Sequence, residues 1–346
     1  MLNILKLFDM FGRPFTFTIN GNLKFKTVFG GLLTLSYVLI CFFITLVFAK
    51  DFFDRTNPKI IDQKLELNTY PLKYVSNENL TFGWRLEDAI GNPINIKNVL
   101  YPKANYYHYE TIQNQNGSFF EEIKSFEIPS RNCKEIEDDL EPTFKKNFFL
   151  PQWECLDLSP TVIHKIGGNW NTAFLHYIDF HLNTCNDDEK CSSFEELENL
   201  IEQEIYLSFL FPETILKFDD YENPSKRNYK NYFIKLNIGI INYDICEFSE
   251  TILTDDKGYA FDDPVSISSL GFENCRSTST FKAIEKFKEK GVNNQIFLAE
   301  FYLKKKLNLV KRFFMKMQEA AALMGGINSI IFLILFDLVS VYYYPY

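Results

Sequence analysis

A chain of 346 residues is long enough for one or two domains with a sizeable core. Aromatic content of 17%, with 36 Phe and 19 Tyr, excludes disorder and points to large buried β-type cores. The formal charge of −9 is unevenly spread: residues 1–27 carry +3, residues 303–318 carry +6, and residues 28–302 carry −16. An acidic middle argues against a nucleic-acid partner, which would require a basic face.

In chain order, residues 1–27 read as a short cytosolic segment. Phe8, Met10, Phe11, Phe15 and Phe17 make it apolar enough to lie in the membrane interface. Val28–Ala49 follows, 22 residues without a charge, or roughly 33 Å of helix against a hydrocarbon core of about 30 Å. A signal peptide has a shorter apolar core placed near the very start, whereas 27 residues precede this one, so it reads as a retained span. The +3 lead places the N-terminus inside.

Residues 50–311 read as one β-rich domain. Alternating segments run over 65–75, 80–96, 98–109, 119–128 and 162–182, the last as two strands about Gly167-Gly168-Asn169. Further strands are expected at 205–211, 232–243 and 250–253, then a turn at 255–258 and a long final strand from Gln295 to Val310. Ser192–Glu204 has helix spacing with a serine cap, and Thr280–Lys290 is a weaker helix. Residues 312–324 turn to helix composition as a juxtamembrane helix, and residues 325–345 form the second span, with an aromatic belt at Tyr342–Tyr344. With two spans both termini share the cytosolic side, although the six cations at 304–316 then lie on the far side, against the positive-inside tendency.

Cys41 lies inside the first span. Cys133, Cys155, Cys185, Cys191, Cys246 and Cys275 lie in the middle domain and allow fifteen connectivities, of which sequence neighbours suggest 133–155, 185–191 and 246–275. Sequons at Asn79 and Asn116 add to the expectation of an extracellular or lumenal compartment, as in a disulfide-bonded glycoprotein of the plasma membrane or the ER and Golgi. Asp337 is an ionisable group within a span. It serves ion permeation, proton transfer or a partner's cation, or else reaches the headgroups at the interface. The pairs Gly30-Gly31 and Gly325-Gly326 permit close helix packing with neighbours.

The remaining chemistry reads as structural. Strand alternation puts Asp179 and His181 on one face and His176 on the other, a poor arrangement for zinc. TDDKGYAFDD lacks the spaced series of a calcium loop and reads as a solvated hairpin turn. HKIGGNW lacks the P-loop lysine, and no nucleophile–base set has a local signature. No enzyme activity, cofactor or metal is expected.

The two ends resemble those of ER–Golgi intermediate compartment (ERGIC) type cargo receptors. The first is KFKTVFGGLLTLSYVLICFFI and the second KRFFMKMQEAAALMGGINSIIFLILFDLVSVYY. The resemblance implies a lumenal β-rich domain between two spans, cytosolic termini and a role in cargo sorting. The same plan is similar to two-span membrane proteins of ciliates, in keeping with a Phe-, Asn-, Ile- and Lys-rich composition. It also resembles that of trimeric ATP-gated or acid-sensing channels, without their ligand-binding or pore motifs.

The expected protein is therefore an α+β membrane protein, with two transmembrane helices flanking one sandwich-like, disulfide-stabilised ectodomain. Its expected role is that of a non-catalytic interaction or structural subunit of a larger membrane assembly. The partners would be the lipid bilayer and other membrane or ectodomain subunits. A cargo-sorting receptor and a trimeric two-span ion channel are the alternatives.

Overall fold

Strands whose side chains alternate between large apolar and polar residues must bury one face, and here two sheets bury theirs against each other. The computed structural model describes residues 13–19, 22–25, 27–94, 99–113, 116, 119–158, 164–185, 198–199, 201–202, 204–237, 239–282 and 295–343. In chain order the elements begin with β1 (Arg13–Ile19), β2 (Asn22–Phe25), α1 (Val28–Asp54), β3 (Lys59–Glu66), β4 (Leu72–Val75), β5 (Gly83–Glu87), β6 (Leu100–Gln113) and β7 (Phe119–Ile128). They continue with β8 (Ser130–Asn132), α2 (Pro142–Asn147), β9 (Glu154–Leu156), β10 (His164–Gly168), β11 (Phe174–Thr184), β12 (Tyr206–Leu216) and β13 (Ser225–Lys235). The last four are β14 (Ile240–Asp256), β15 (Pro264–Phe281), β16 (Gln295–Phe313) and α3 (Met317–Tyr343).

A nine-stranded sheet runs β15-β14-β16-β11-β10-β4, with β3 beside β16 and the β6–β7 pair beside β11. A five-stranded sheet, β13-β12-β5-β9-β8, faces it. The core between them is dominated by phenylalanine: Phe82, Phe209 and Phe211 meet Phe180, Phe248, Phe297 and Phe301, all buried. Phe82 has ring centroids at 5.8 Å from Phe211, 5.6 Å from Phe248 and 4.9 Å from Phe301. The expected β-rich sandwich between two apolar helices is thus the observed architecture.

A smaller cluster covers the outer face of the second sheet: Phe144 of α2, Trp153, Leu210 and Tyr229 pack around the Cys133–Cys155 disulfide. Gly83 makes room for it. A Cβ there would stand 2.8 Å from Cζ of the buried Phe144 ring and 3.4 Å from Trp153. Gly83→Ala is therefore expected to destabilise the domain by about 1–3 kcal/mol through overpacking, read as a lower denaturant midpoint with an unchanged slope.

Cys246 and Cys275 face each other in the β14–β15 ladder and form the second pair. Cys185 is disulfide-bonded too, and its expected partner Cys191 lies outside the described residues.

The elements depart from expectation in four places. The expected juxtamembrane helix at 312–324 starts late: strand runs through Phe313, and from Met317 that helix is continuous with the expected span at 325–345, as one helix to Tyr343. Ladder bonds to β14 and β3 hold Arg312 and Phe313 extended despite their helix-compatible composition. The strand expected at 232–243 is two strands, broken at a turn where Gly239 has φ +80°. The strand expected at 250–253 is part of the 17-residue β14. Its partner β15 includes Thr280 and Phe281, the start of the expected weaker helix, whose residues 283–290 lie outside the described residues. In the expected helix at 192–204, residues 198–199 and 201–202 are helical, while 192–197, 200 and 203 lie outside the described residues. In the N-terminal lead, β1 and β2 pair antiparallel, and residues 1–12, with Phe8, Met10 and Phe11, lie outside the described residues.

Candidate functional site

The charged turn Asp255–Asp263 links the β-rich domain to both apolar helices. β14 and β16 run parallel, and their register sets Asp255 directly beside Arg312. Arg312 is fully buried. Its Nε donates to Asp255 Oδ1 at 2.8 Å and its Nη2 to Asp255 Oδ2 at 2.7 Å. The same guanidinium donates from Nη1 to the carbonyls of Phe218 (3.2 Å) and Asp220 (2.5 Å), and from Nη2 to that of Tyr221 (3.0 Å). All five N–H donors of the fork are thereby satisfied, which is the condition under which a buried arginine is tolerated. One side chain ties together the end of β14, the β12–β13 loop and the last strand before α3.

The turn then closes on itself and on both helices. Asp256 Oδ1 accepts from the Gly258 N–H (3.0 Å) and the Asp263 N–H (2.9 Å). Asp256 Oδ2 accepts from Lys316 Nζ at 2.8 Å, and Lys316 also donates to Asp262. Burial pushes the Asp256 carboxyl up, but the Lys316 bond and the two backbone N–H groups outweigh it, so the group titrates below its ordinary value. Gly258 has no room for a side chain, since a Cβ would lie 1.8 Å from the Phe261 carbonyl oxygen. The Met317 N–H, at the first turn of α3, donates to the Tyr259 carbonyl at 2.8 Å.

On the other side, the Arg55 guanidinium, one residue beyond α1, lies 3.8 Å from the centre of the Tyr259 ring, with Phe52 and Phe314 at 5.4 and 5.5 Å. Arg55 is buried, with a left-handed backbone at φ 52°. Its Nη2 donates to the Gly258 carbonyl at 3.5 Å, while Nε and Nη1 have no hydrogen-bond partner among the described residues, so aromatic faces supply most of this cation's contacts. The turn read in the sequence as solvated is therefore a wedge between the ends of the two helices that adjoin the β-rich domain.

Three cations of the basic cluster at 304–316 meet counter-charges on β14, β15 and this turn. Lys304 pairs with Glu247 (3.0 Å) and Glu273 (3.1 Å), while Arg312 and Lys316 pair with Asp255, Asp256 and Asp262. The signal was available in the sequence, as an excess of cations at 304–316 and of acids at 255–263 with no other use.

Both helices are long and apolar enough to cross a membrane, and very little of either is buried within the chain. They lie against each other, with Tyr37 and Phe332 edge to face at 6.1 Å. Gly30, Gly31 and Thr34 are buried, and the Thr34 hydroxyl donates to the Gly30 carbonyl at 2.9 Å. Gly325 and Gly326 are exposed, with nothing within 4 Å of an added Cβ. Asp337 is exposed on α3 and has no ion pair among the described residues.

Asn79 is exposed in the turn after β4, its side-chain amide donating to the Tyr74 carbonyl at 3.1 Å, while Thr81 of the same sequon is buried. Asn116 is exposed in the β6–β7 turn, and Gly117 and Ser118 lie outside the described residues. The Asp179–His181 pair is in contact at 2.7 Å, and Asp179 also accepts from Asn105, so the pair is satisfied within the sheet.

The family described as "Uncharacterised 80 kDa protein N-terminal domain" matches residues 59–306. It lends no support to the cargo-receptor resemblance of the chain's ends. No curated protein matches the chain. Among solved structures, one titled "Cryo-EM structure of a proton-activated chloride channel" is similar with a TM-score of 0.33 and 13% identity, over 91% of this chain and 96% of that one. That likeness is too distant to carry a function across.

Proposed function

The chain belongs to the family described as Uncharacterised 80 kDa protein N-terminal domain, and from that membership, which assigns no activity, we propose a non-catalytic two-span subunit of a multi-subunit membrane assembly. The observation that carries this reading is Asp337, exposed on an apolar helix without a counter-ion among the described residues. An aspartate near the middle of a span costs about 2.5–3.5 kcal/mol, less toward the interface, unless it faces protein or water. The open surface over Gly325 and Gly326 adds a second place where a neighbouring helix fits closely. In this reading the ectodomain is extracellular or lumenal and glycosylated, both termini are cytosolic, and the Asp255–Asp263 wedge passes ectodomain movements to both helices.

The same aspartate supports a second reading, an ion channel in which copies of α3 surround an axis and Asp337 lines it. Native mass in mild detergent, with co-purifying chains identified, separates the two. Unrelated subunits in fixed ratio support the subunit reading. A homo-oligomer whose conductance or selectivity changes in Asp337→Asn supports the channel. A monomer in which Asp337→Asn changes nothing overturns both.

A further inference from the structure

The sequence separates His176 from His108 and Glu110 by more than 60 residues, and only the register of the sheet brings them together. His176 of β11 stands directly opposite His108 of β6, and Glu110 lies two residues further along β6, on the same face. The two imidazoles are 4.4 Å apart between ring centres. Both Nε2 atoms converge on one carboxylate oxygen: Glu110 Oε1 is 3.0 Å from His108 Nε2 and 3.5 Å from His176 Nε2.

Neither Nε2 makes a hydrogen bond of good geometry among the described residues, although His176 is completely buried. A buried imidazole nitrogen aimed at two other donors and left unbonded is unusual for a group whose only role is packing. The opposite nitrogen is fixed: His176 Nδ1 and the Tyr106 hydroxyl are 2.8 Å apart. An outer hydrogen bond of this kind holds the ring and leaves Nε2 as the donor to a metal.

The two histidine–carboxylate distances suit a zinc-class ion. Donors about 2.0–2.1 Å from a tetrahedral zinc ion stand about 3.3 Å from one another. The separations of 3.0 and 3.5 Å lie on either side of that value, and all three donor atoms lie within 4.8 Å of one another. Two imidazoles and one carboxylate form a set suited to zinc rather than to calcium or magnesium, which take oxygen ligands. The site has a wall and a mouth, with His176 buried and the His108 and Glu110 side chains 25% and 40% exposed.

We propose that His108, Glu110 and His176 form a three-ligand ectodomain site for a zinc-class divalent cation, with the fourth position open to water or to an exchangeable ligand.

The test is calorimetric titration of zinc chloride into the full chain, carrying no polyhistidine tag, in detergent after treatment with a chelator. One saturable equivalent per chain is expected. Replacing zinc with Co²⁺ should give visible absorption bands of a four-coordinate N/O site. His108→Gln and Glu110→Gln alter partly exposed side chains and should each weaken binding at least tenfold, with unchanged melting temperature in the chelator. Tyr106→Phe should weaken it less while shifting the cobalt bands. Absence of a saturable equivalent, or equal binding by wild type and both ligand variants, would overturn the site.

Discussion

Replacing Arg312 with methionine is expected to lower the unfolding free energy of the β-rich domain by about 3–5 kcal/mol. The substitution keeps an unbranched, flexible stem and most of the volume of the side chain, so the loss is chiefly that of the charge and its hydrogen bonds. It leaves the Asp255 carboxylate, 3% exposed, without its bidentate partner, and it strands the carbonyls of Phe218, Asp220 and Tyr221. Arg312→Lys is expected to recover only part of the loss, because an ammonium has three donors and cannot match a planar fork with five. Asp255→Asn removes the opposite charge and leaves the guanidinium uncompensated, so it too is destabilising. The combination of Arg312→Met with Asp255→Asn should cost less than the sum of the two single changes. A coupling energy of about 1–3 kcal/mol in a double-mutant cycle is expected, whereas strict additivity would show that the pair is not the unit described. Because Arg312 lies shortly before the first turn of α3, the same variants should loosen the attachment of that helix. Amide exchange at Tyr259 and Met317, which share a backbone hydrogen bond, would report it.

The residues that carry this junction are on view in the sequence, but their partnership is not. The two apolar helices are legible because a run of 22 residues without a charge is rare outside a membrane span, and Gln295–Val310 is legible as a strand because its alternation is strong. Two of the disulfides suggested by sequence neighbours form as expected, Cys133–Cys155 and Cys246–Cys275. By contrast, β15 is rich in serine and threonine and exposed over most of its length, so it carries little hydrophobic period to read. The fact that β14 lies parallel to β16 cannot be inferred from either strand alone, yet it is what puts Asp255 beside Arg312. The histidines show the same limit. Alternation along β11 correctly separates His176 from Asp179 and His181, but the residues that converge on His176 come from β6, and only cross-strand register supplies them. Local pattern specifies which face a side chain takes, and pairing specifies its company.

Phe82→Ala is the second large effect expected, at about 3–5 kcal/mol. Phe82 sits just before β5, 2% exposed, and touches rings from both sheets: Phe211 on its own side, Phe248 and Phe301 on the other. Truncation opens a void bounded by aromatic rings that are themselves pinned by strand pairing, so the walls cannot collapse far to fill it, and the cost rises with the cavity that remains. Phe82→Leu leaves a smaller void and should cost less. Phe119→Ala is the control, since Phe119 is 69% exposed on β7, and its truncation should shift stability by no more than about 0.5 kcal/mol. Chemical denaturation of the three variants, compared at constant slope, gives the ranking. Equal costs for Phe82→Ala and Phe119→Ala would mean that the two sheets do not meet at Phe82, and the sandwich that positions both the membrane junction and the histidine cluster would have to be redrawn.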